Sequence, residues 1–297
     1  LLYNIGTAIL RALGNTKDPL YFLVFSCVLN LILDILFIVY FGWGVKGAAI
    51  ATILSSICSA IVILYWILVK KDTYVDVNLG EFKFDSSIAK DILKVGIPAS
   101  MDMLVMSIAM SLYMIFISSI AGEFGIASFT SGQRLYLFAI MPLTAIGTAV
   151  TAVVGSSFGA KNGEYISRAH KFGAKFGIIF GTCVTIVLVV FATQLSTIFA
   201  YTAETAHLVP EITRYLQIAC LCLPLTGAGM ASSFFYQGIG KGTISLSWTI
   251  IREVIFTVGA TFFFGIYLGW GLIGIWAGLA IGRAAASILN YLYARYT

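Results

Sequence analysis

Charge is what this chain has least of. Asp, Glu, Lys and Arg make up 10% of its 297 residues, where soluble globular domains carry about 25%. With 60% hydrophobic residues and a mean hydropathy of +0.97, it cannot cover a water-facing surface, and no nucleic-acid partner is expected. Histidine is nearly missing. His170 and His207 stand far apart, which excludes the His pair of a membrane zinc protease. Clustered aspartates are missing too, which excludes the Mg²⁺ site of a prenyl-type transferase. Cys27, Cys58, Cys183, Cys220 and Cys222 all fall inside apolar runs. Cys220 and Cys222 project to different sides of a helix, so all five read as small apolar fillers, not metal ligands. An enzyme is not expected, nor any cofactor.

Long apolar runs are what is there. A membrane-spanning helix needs about 20 mainly apolar residues. Eight runs meet that length: 19–41, 45–69, 95–121, 124–157, 169–200, 211–237, 243–268 and 270–294. Residues 1–13 read as the last turns of a further helix. The fold class is therefore an all-α polytopic membrane protein. Pro19 and Pro210 fall at helix starts, where a missing N–H is harmless, and Pro98 lies near the start of its span. Pro142 and Pro224 lie deep inside spans and predict kinks. The one long polar connector is 70–94. Its DSSIAKDILK stretch (Asp85 to Lys94) predicts a short amphipathic helix on the membrane surface.

Lys and Arg sort the connectors into two sets. Thirteen lie on one set, including Arg11, Lys17, Lys171, Lys241 and Arg295, and two, Lys46 and Arg214, on the other. Arg134, Arg252 and Arg283 lie within spans. The positive-inside rule makes the basic side, with the C-terminus, cytoplasmic.

The chain repeats itself. YFGWGVKGAAIA (Tyr40 to Ala51) returns as YLGWGLIGIWAG (Tyr267 to Gly278), an offset of 227 residues. LGNTK before the first copy is echoed by IGKGT before the second. Six spans separate the copies. An even number returns the chain to the same side, so the halves run parallel about an axis along the membrane normal. The second half has six helices and the first shows only its last two and a stub. By that symmetry about four helices, roughly 140 residues, are expected ahead of Leu1. The expected division is 1–69, the last part of a first lobe; 70–94, a connector; and 95–297, a second lobe of six helices.

Four stretches resemble the multidrug and toxic compound extrusion (MATE) family of transporters. LRALGNTKDP (Leu10 to Pro19) is similar to the turn between its fourth and fifth helices, and GWGVKGAAIAT (Gly42 to Thr52) to the start of its sixth. KVGIPAS (Lys94 to Ser100) is similar to the start of the seventh, and GSSFGAKNGEYISRAHK (Gly155 to Lys171) to the eighth-to-ninth connection. The resemblance implies a twelve-helix fold of two six-helix lobes around a cleft. It also implies export of organic cations or other drugs in exchange for H⁺ or Na⁺, by a monomer in a prokaryotic cell membrane. Lipid and small drug-like molecules are then the partners. A flippase for lipid-linked oligosaccharides, from the wider superfamily, is the alternative. It should carry a strongly cationic cavity, which the three scattered span arginines do not provide.

One acid stands out inside a lipid-soluble run. In SCVLNLILDILFIVYF (Ser26 to Phe41), Asp34 sits at a depth where a carboxylate costs roughly 2.5–3.5 kcal/mol. Ser26, Asn30 and Asp34 recur every four residues and so form one polar stripe. Thr52, Ser55, Ser56 and Ser59 form another on the next span. Two such faces turn toward each other or toward a wet cavity. Desolvation there favours the neutral acid, so Asp34 could exchange a proton, or hold Na⁺ with oxygens of Asn30 and Thr52. The resemblance implies the same coupling site, with Asn4 as a further member. A structural hydrogen bond or ion pair is the other reading of Asp34. The repeat bears on it, because Thr257 and Thr261 stand where Asn30 and Asp34 do.

Other polar and adaptable residues are weaker candidates. Arg252 and Glu253 are adjacent, about 100° apart on an α-helix, and cannot be an i,i+4 pair. Glu253 is a candidate second protonation site, with Arg252 snorkelling. Arg134 and Gln133 could line the cleft. Tyr136 offers an aromatic face to organic cations, and Met106 and Met110 an adaptable apolar one. Ser26 completes the cleft candidates. Arg283 predicts an ion pair bracing the second lobe.

Overall fold

A computed structural model describes residues 2–12, 15, 17–69, 85–200 and 205–296. All of its regular elements are helical. Two compact units emerge, Leu1–Phe84 and Asp85–Thr297.

The first unit holds three helices: α1 (Leu2–Ala12), α2 (Lys17–Asp34) and α3 (Gly44–Val69). Pro19 sits in the first turn of α2, as expected. Ahead of it the Asn15 amide donates to Asp18 Oδ2 (2.6 Å) and Asp18 N–H donates to Asn15 Oδ1 (3.2 Å). This reciprocal cap fixes where the helix begins. Beyond Asp34 the helix runs on as a π-helical segment, Ile35–Tyr40. Leu10, Phe22, Ile63 and Ile67 form the small core, with Phe22 edge-on to Trp66 at 5.4 Å. Most other apolar side chains of α2 are exposed. That suits a helix whose surroundings are acyl chains, where apolar exposure carries no penalty.

The second unit opens on α4 (Ser86–Gly159), 74 residues long and broken at Gly122, where φ is 57° and ψ −140°. Only glycine adopts that conformation without strain, so one element supplies two of the expected spans. The surface helix expected over 85–94 is not separate. Asp85 caps α4 by accepting from Ser87 and Ile88 N–H (2.8 and 3.4 Å), and the helix continues through Pro98. The remainder of the expected connector, 70–84, lies outside the described residues. Next come α5 (Gly163–Val190), α6 (Ala192–Phe199), α7 (Val209–Ala219) and α8 (Leu223–Gly238). The expected span 169–200 starts earlier, at Gly163, and breaks at Phe191. Pro224 acts as predicted: a 3₁₀ turn, Cys220–Cys222, separates α7 from α8 just before it. Pro142 stays within α4 with helical backbone.

After α9 (Gly242–Ile250) come a π segment (Ile251–Val258), a short α turn, α10 (Gly259–Thr261), and a second π segment (Phe262–Tyr267). The last helix is α11 (Gly271–Tyr296). The core centres on Phe129, Tyr215 and Trp276. Phe129 stacks on Trp276 at 5.7 Å, and Tyr215 stands edge-on to both at 5.6 and 5.0 Å. Small residues let backbones meet. A Cβ on Gly177 would lie 2.9 Å from the Gly227 backbone, and one on Gly181 2.7 Å from Leu223 O.

The repeat read from sequence returns in the internal geometry of each unit. The π segments Ile35–Tyr40 and Phe262–Tyr267 differ by 227 residues. Phe41 N–H donates to Leu36 O (3.0 Å), and Leu268 N–H to Phe263 O (2.9 Å). Trp43 N–H donates to Phe37 O (3.0 Å), and Trp270 N–H to Phe264 O (3.3 Å). The rings of each Phe–Trp pair lie 5.2 and 5.4 Å apart. Gly42 and Gly269 both turn the chain with positive φ, 70° and 69°. Gly47 then packs on the Phe37 backbone as Gly274 does on Phe264.

Candidate functional site

Ser26, Asn30 and Asp34 occupy successive turns of one face of α2, and all three are half-buried. Asn30 Nδ2 and Asp34 Oδ1 are buried atoms with no hydrogen-bond partner among the described residues. A buried polar atom left in this state costs about 1–3 kcal/mol, more if charged. The second copy of the repeat supplies a control. At the equivalent positions Thr257 and Thr261 are fully buried. Thr257 Oγ1 donates to Arg252 O (2.6 Å), and Thr261 Oγ1 to Thr257 O (2.9 Å) and Val258 O (2.8 Å). The backbone device, an α-helix running into a π segment, is common to both copies. At these two positions the unpartnered amide and carboxylate belong to the first copy alone; elsewhere Asp102 Oδ1 and Asn290 Oδ1 are also buried without a partner among the described residues.

Nearby, α1, α2 and α3 enclose a cavity of about 530 Å³ lined by Asn4, Ser26, Thr52, Ser56 and Ser59, among others. Three predicted residues, Asn4, Ser26 and Thr52, thus share one space. Asn30 and Asp34 are not in its lining; they lie one and two turns further along the stripe from Ser26. The Thr52 hydroxyl donates to Ala48 O (2.9 Å), so its proton is engaged and its lone pairs are open. Among the described residues no three His, Cys, Asp or Glu side chains converge. The donor set fits one proton on Asp34, or one small cation held by oxygens and not by a dedicated acidic cage.

Glu253 is the opposite case. It is buried, with Oε1 bound by Arg252 Nε (2.9 Å) and Oε2 by the Tyr113 hydroxyl (3.0 Å). The two are no i,i+4 pair; they meet as neighbours on a π segment, through the near nitrogen of the guanidinium. Arg252 is half-buried and paired. Asp102, three turns before Tyr113 on the same face of α4, lies beside Thr249 and feels the Arg252 charge. Sequence spacing could not reveal this network, since Tyr113 and Glu253 are 140 residues apart. Arg283 forms no ion pair among the described residues. Its guanidinium lies 5.2 Å over the Tyr136 ring, while Glu253 feels its charge.

The remaining cleft candidates are dispersed in the second unit. Tyr136 is buried, its hydroxyl 3.9 Å from Cys222 Sγ. Gln133 accepts from the Tyr215 hydroxyl at 2.6 Å. Met110 packs against the core. Met106 and Arg134 are exposed. Sequence reasoning missed Glu211, buried and bound by Trp276 Nε1 at 2.7 Å, with Arg214 at 3.5 Å.

The profile of the MatE family matches residues 98–269, more than half of the chain. The chain belongs to the MATE family. Its members are transporters, not enzymes. A second profile, described as lipid II flippase MurJ, matches residues 1–89. A Bacillus subtilis relative named "Probable multidrug resistance protein YpnP" is 28% identical over 296 residues, covering 99% of this chain and 65% of the relative. Two solved structures are similar over 99% of this MATE chain and 65% of theirs, each at 37% identity. One is a MOP superfamily transporter from Pyrococcus furiosus, described by a reversed polarity of its binding pocket that suggests a different function (TM-score 0.95). The other is an outward-facing multidrug resistance MATE transporter (TM-score 0.94). The chain thus spans 65% of the length of these proteins. It is a multi-pass membrane protein with bacterial relatives.

Proposed function

We propose that this chain works in a secondary active exporter of organic cations or amphiphilic drugs, driven by inward movement of H⁺ or Na⁺ through Asp34. The observation that carries the reading is the unpartnered Asp34 Oδ1 beside the equally unpartnered Asn30 Nδ2. Glu253, a buried span acid, has both oxygens engaged and serves as a brace, whereas Asp102 Oδ1 is buried and unpartnered as Asp34 Oδ1 is but has no unpartnered amide one turn away. An acid that must gain and lose a proton needs a free oxygen, and Asp34 has one. Protonation would remove the charge and convert an acceptor into a donor, changing what Asn30 can bond. The proposed consequence is repacking of α2 on α3 that weakens drug binding. The basic side is taken as cytoplasmic and the working unit as a monomer, with ions entering from outside.

Transport of a fluorescent cation by the full-length transporter in liposomes, with pH and Na⁺ gradients imposed separately, tests this. Accumulation driven by one gradient is expected. Accumulation indifferent to both would overturn the reading.

The flippase profile over residues 1–89 favours a second reading, transport of a lipid-linked pyrophosphate. The span cations weigh against it. Arg252 is neutralised by Glu253, Arg283 faces an aromatic ring, and Arg134 is exposed.

A further inference from the structure

One end of the second unit, where α5 begins and α11 finishes, holds a cavity of about 350 Å³ that none of the residues above explains. Ser167, His170, Lys171, Phe235, Tyr291 and Arg295 line it. The larger grooves of the same unit are lined almost wholly by apolar side chains, whereas this one mixes polar and aromatic walls. Lys171 and Arg295 bring two positive charges, and neither meets an acid among the described residues. The nearest acid in sequence, Glu164, is held by Arg168 at 2.6 Å.

The floor is rigid. His170 is buried, and its ring packs on Phe235 and Tyr291 with centroids 4.9 and 5.7 Å away. Its Nε2 lies 2.9 Å from Ser232 Oγ, while that hydroxyl donates to Ala228 O at 3.1 Å. A hydroxyl has one proton, so the imidazole donates from Nε2 and is fixed in place. Both helices are long and apolar enough to span a bilayer, which puts their ends, and this cavity, at the depth of lipid headgroups. Basic pockets between spans at that depth suit phosphate headgroups, and Tyr291 and Phe235 offer an apolar flank for the glycerol and chain ester.

We propose that this cavity is a binding site for a phosphate anion, supplied by the headgroup of an anionic phospholipid. The full-length transporter in neutral phosphatidylcholine nanodiscs, titrated with phosphatidylglycerol or with inorganic phosphate and read by its melting temperature, tests it. Phosphatidylglycerol is expected to raise the melting temperature and millimolar phosphate to leave it unchanged. Lys171→Gln with Arg295→Gln should raise the half-saturating lipid fraction about twenty-five-fold, roughly fivefold per cation removed. Lys171→Arg with Arg295→Lys keeps both charges and should behave as the parent. Should the double Gln variant fail to fold, Lys171→Gln alone carries the test with the fivefold shift. A response to inorganic phosphate equal to that of the lipid would overturn the lipid as source. Equal responses of the parent and the Gln variants to phosphatidylglycerol would overturn the site.

Discussion

Tyr113 and Glu253 meet across 140 residues of chain, the phenol donating to the carboxylate at 3.0 Å in the interior of the second unit. With Arg252 on the other oxygen at 2.9 Å, the contact ties the first arm of α4 to the π segment after α9. Each partner makes the other's burial tolerable.

Removing one partner should therefore cost more than its hydrogen bond alone. Tyr113→Phe keeps the ring and deletes the donor, and should destabilise by about 1–3 kcal/mol. Glu253→Gln leaves the half-buried Arg252 without its counter-charge and should cost more, about 3–5 kcal/mol. Thermal unfolding in detergent checks the order of the two.

Close backbone contact along α11 predicts a position-dependent response to a single methyl group. A Cβ on Gly278 would stand 2.6 Å from Thr261 Cα, whereas one on Gly259 meets nothing within 4 Å. Gly278→Ala should destabilise by about 1–3 kcal/mol through overpacking. Gly259→Ala should be neutral or stabilise by up to about 1 kcal/mol. Paired unfolding curves of the two variants decide it.

Arg283 over Tyr136 predicts that the ring matters more than the hydroxyl. Tyr136→Phe should keep the contact, and Tyr136→Leu should lose about 0.5–2 kcal/mol. The same unfolding assay measures both.

Much of this fold could be read in the chain, for specific reasons. The apolar runs and the GWG repeat reflect local length and pattern, and the matched π segments at Ile35–Tyr40 and Phe262–Tyr267 show that the repeat extends to individual hydrogen bonds. The helix type itself was not legible, because a π turn leaves no spacing signature in so short a stretch. The pairing of the adjacent Arg252 and Glu253 is likewise a feature of the folded segment and not of its spacing. The break at Gly122 was visible as a span boundary, but the merger of 86–94 into α4 was not, since an amphipathic surface helix and a helix start share one pattern. In the candidate site, the stripe of Ser26, Asn30 and Asp34 followed from periodicity. Its unpartnered atoms did not, and neither did the Tyr113 and Trp276 contacts, which join residues that only tertiary packing brings together.

The proposal that Asp34 couples ion entry to export is tested most directly by Asp34→Asn in liposomes, with uphill transport and passive substrate exchange measured on the same preparation. Loss of gradient-driven accumulation by tenfold or more, with exchange retained, is the predicted result. Gradient-driven accumulation equal to that of the parent would contradict it.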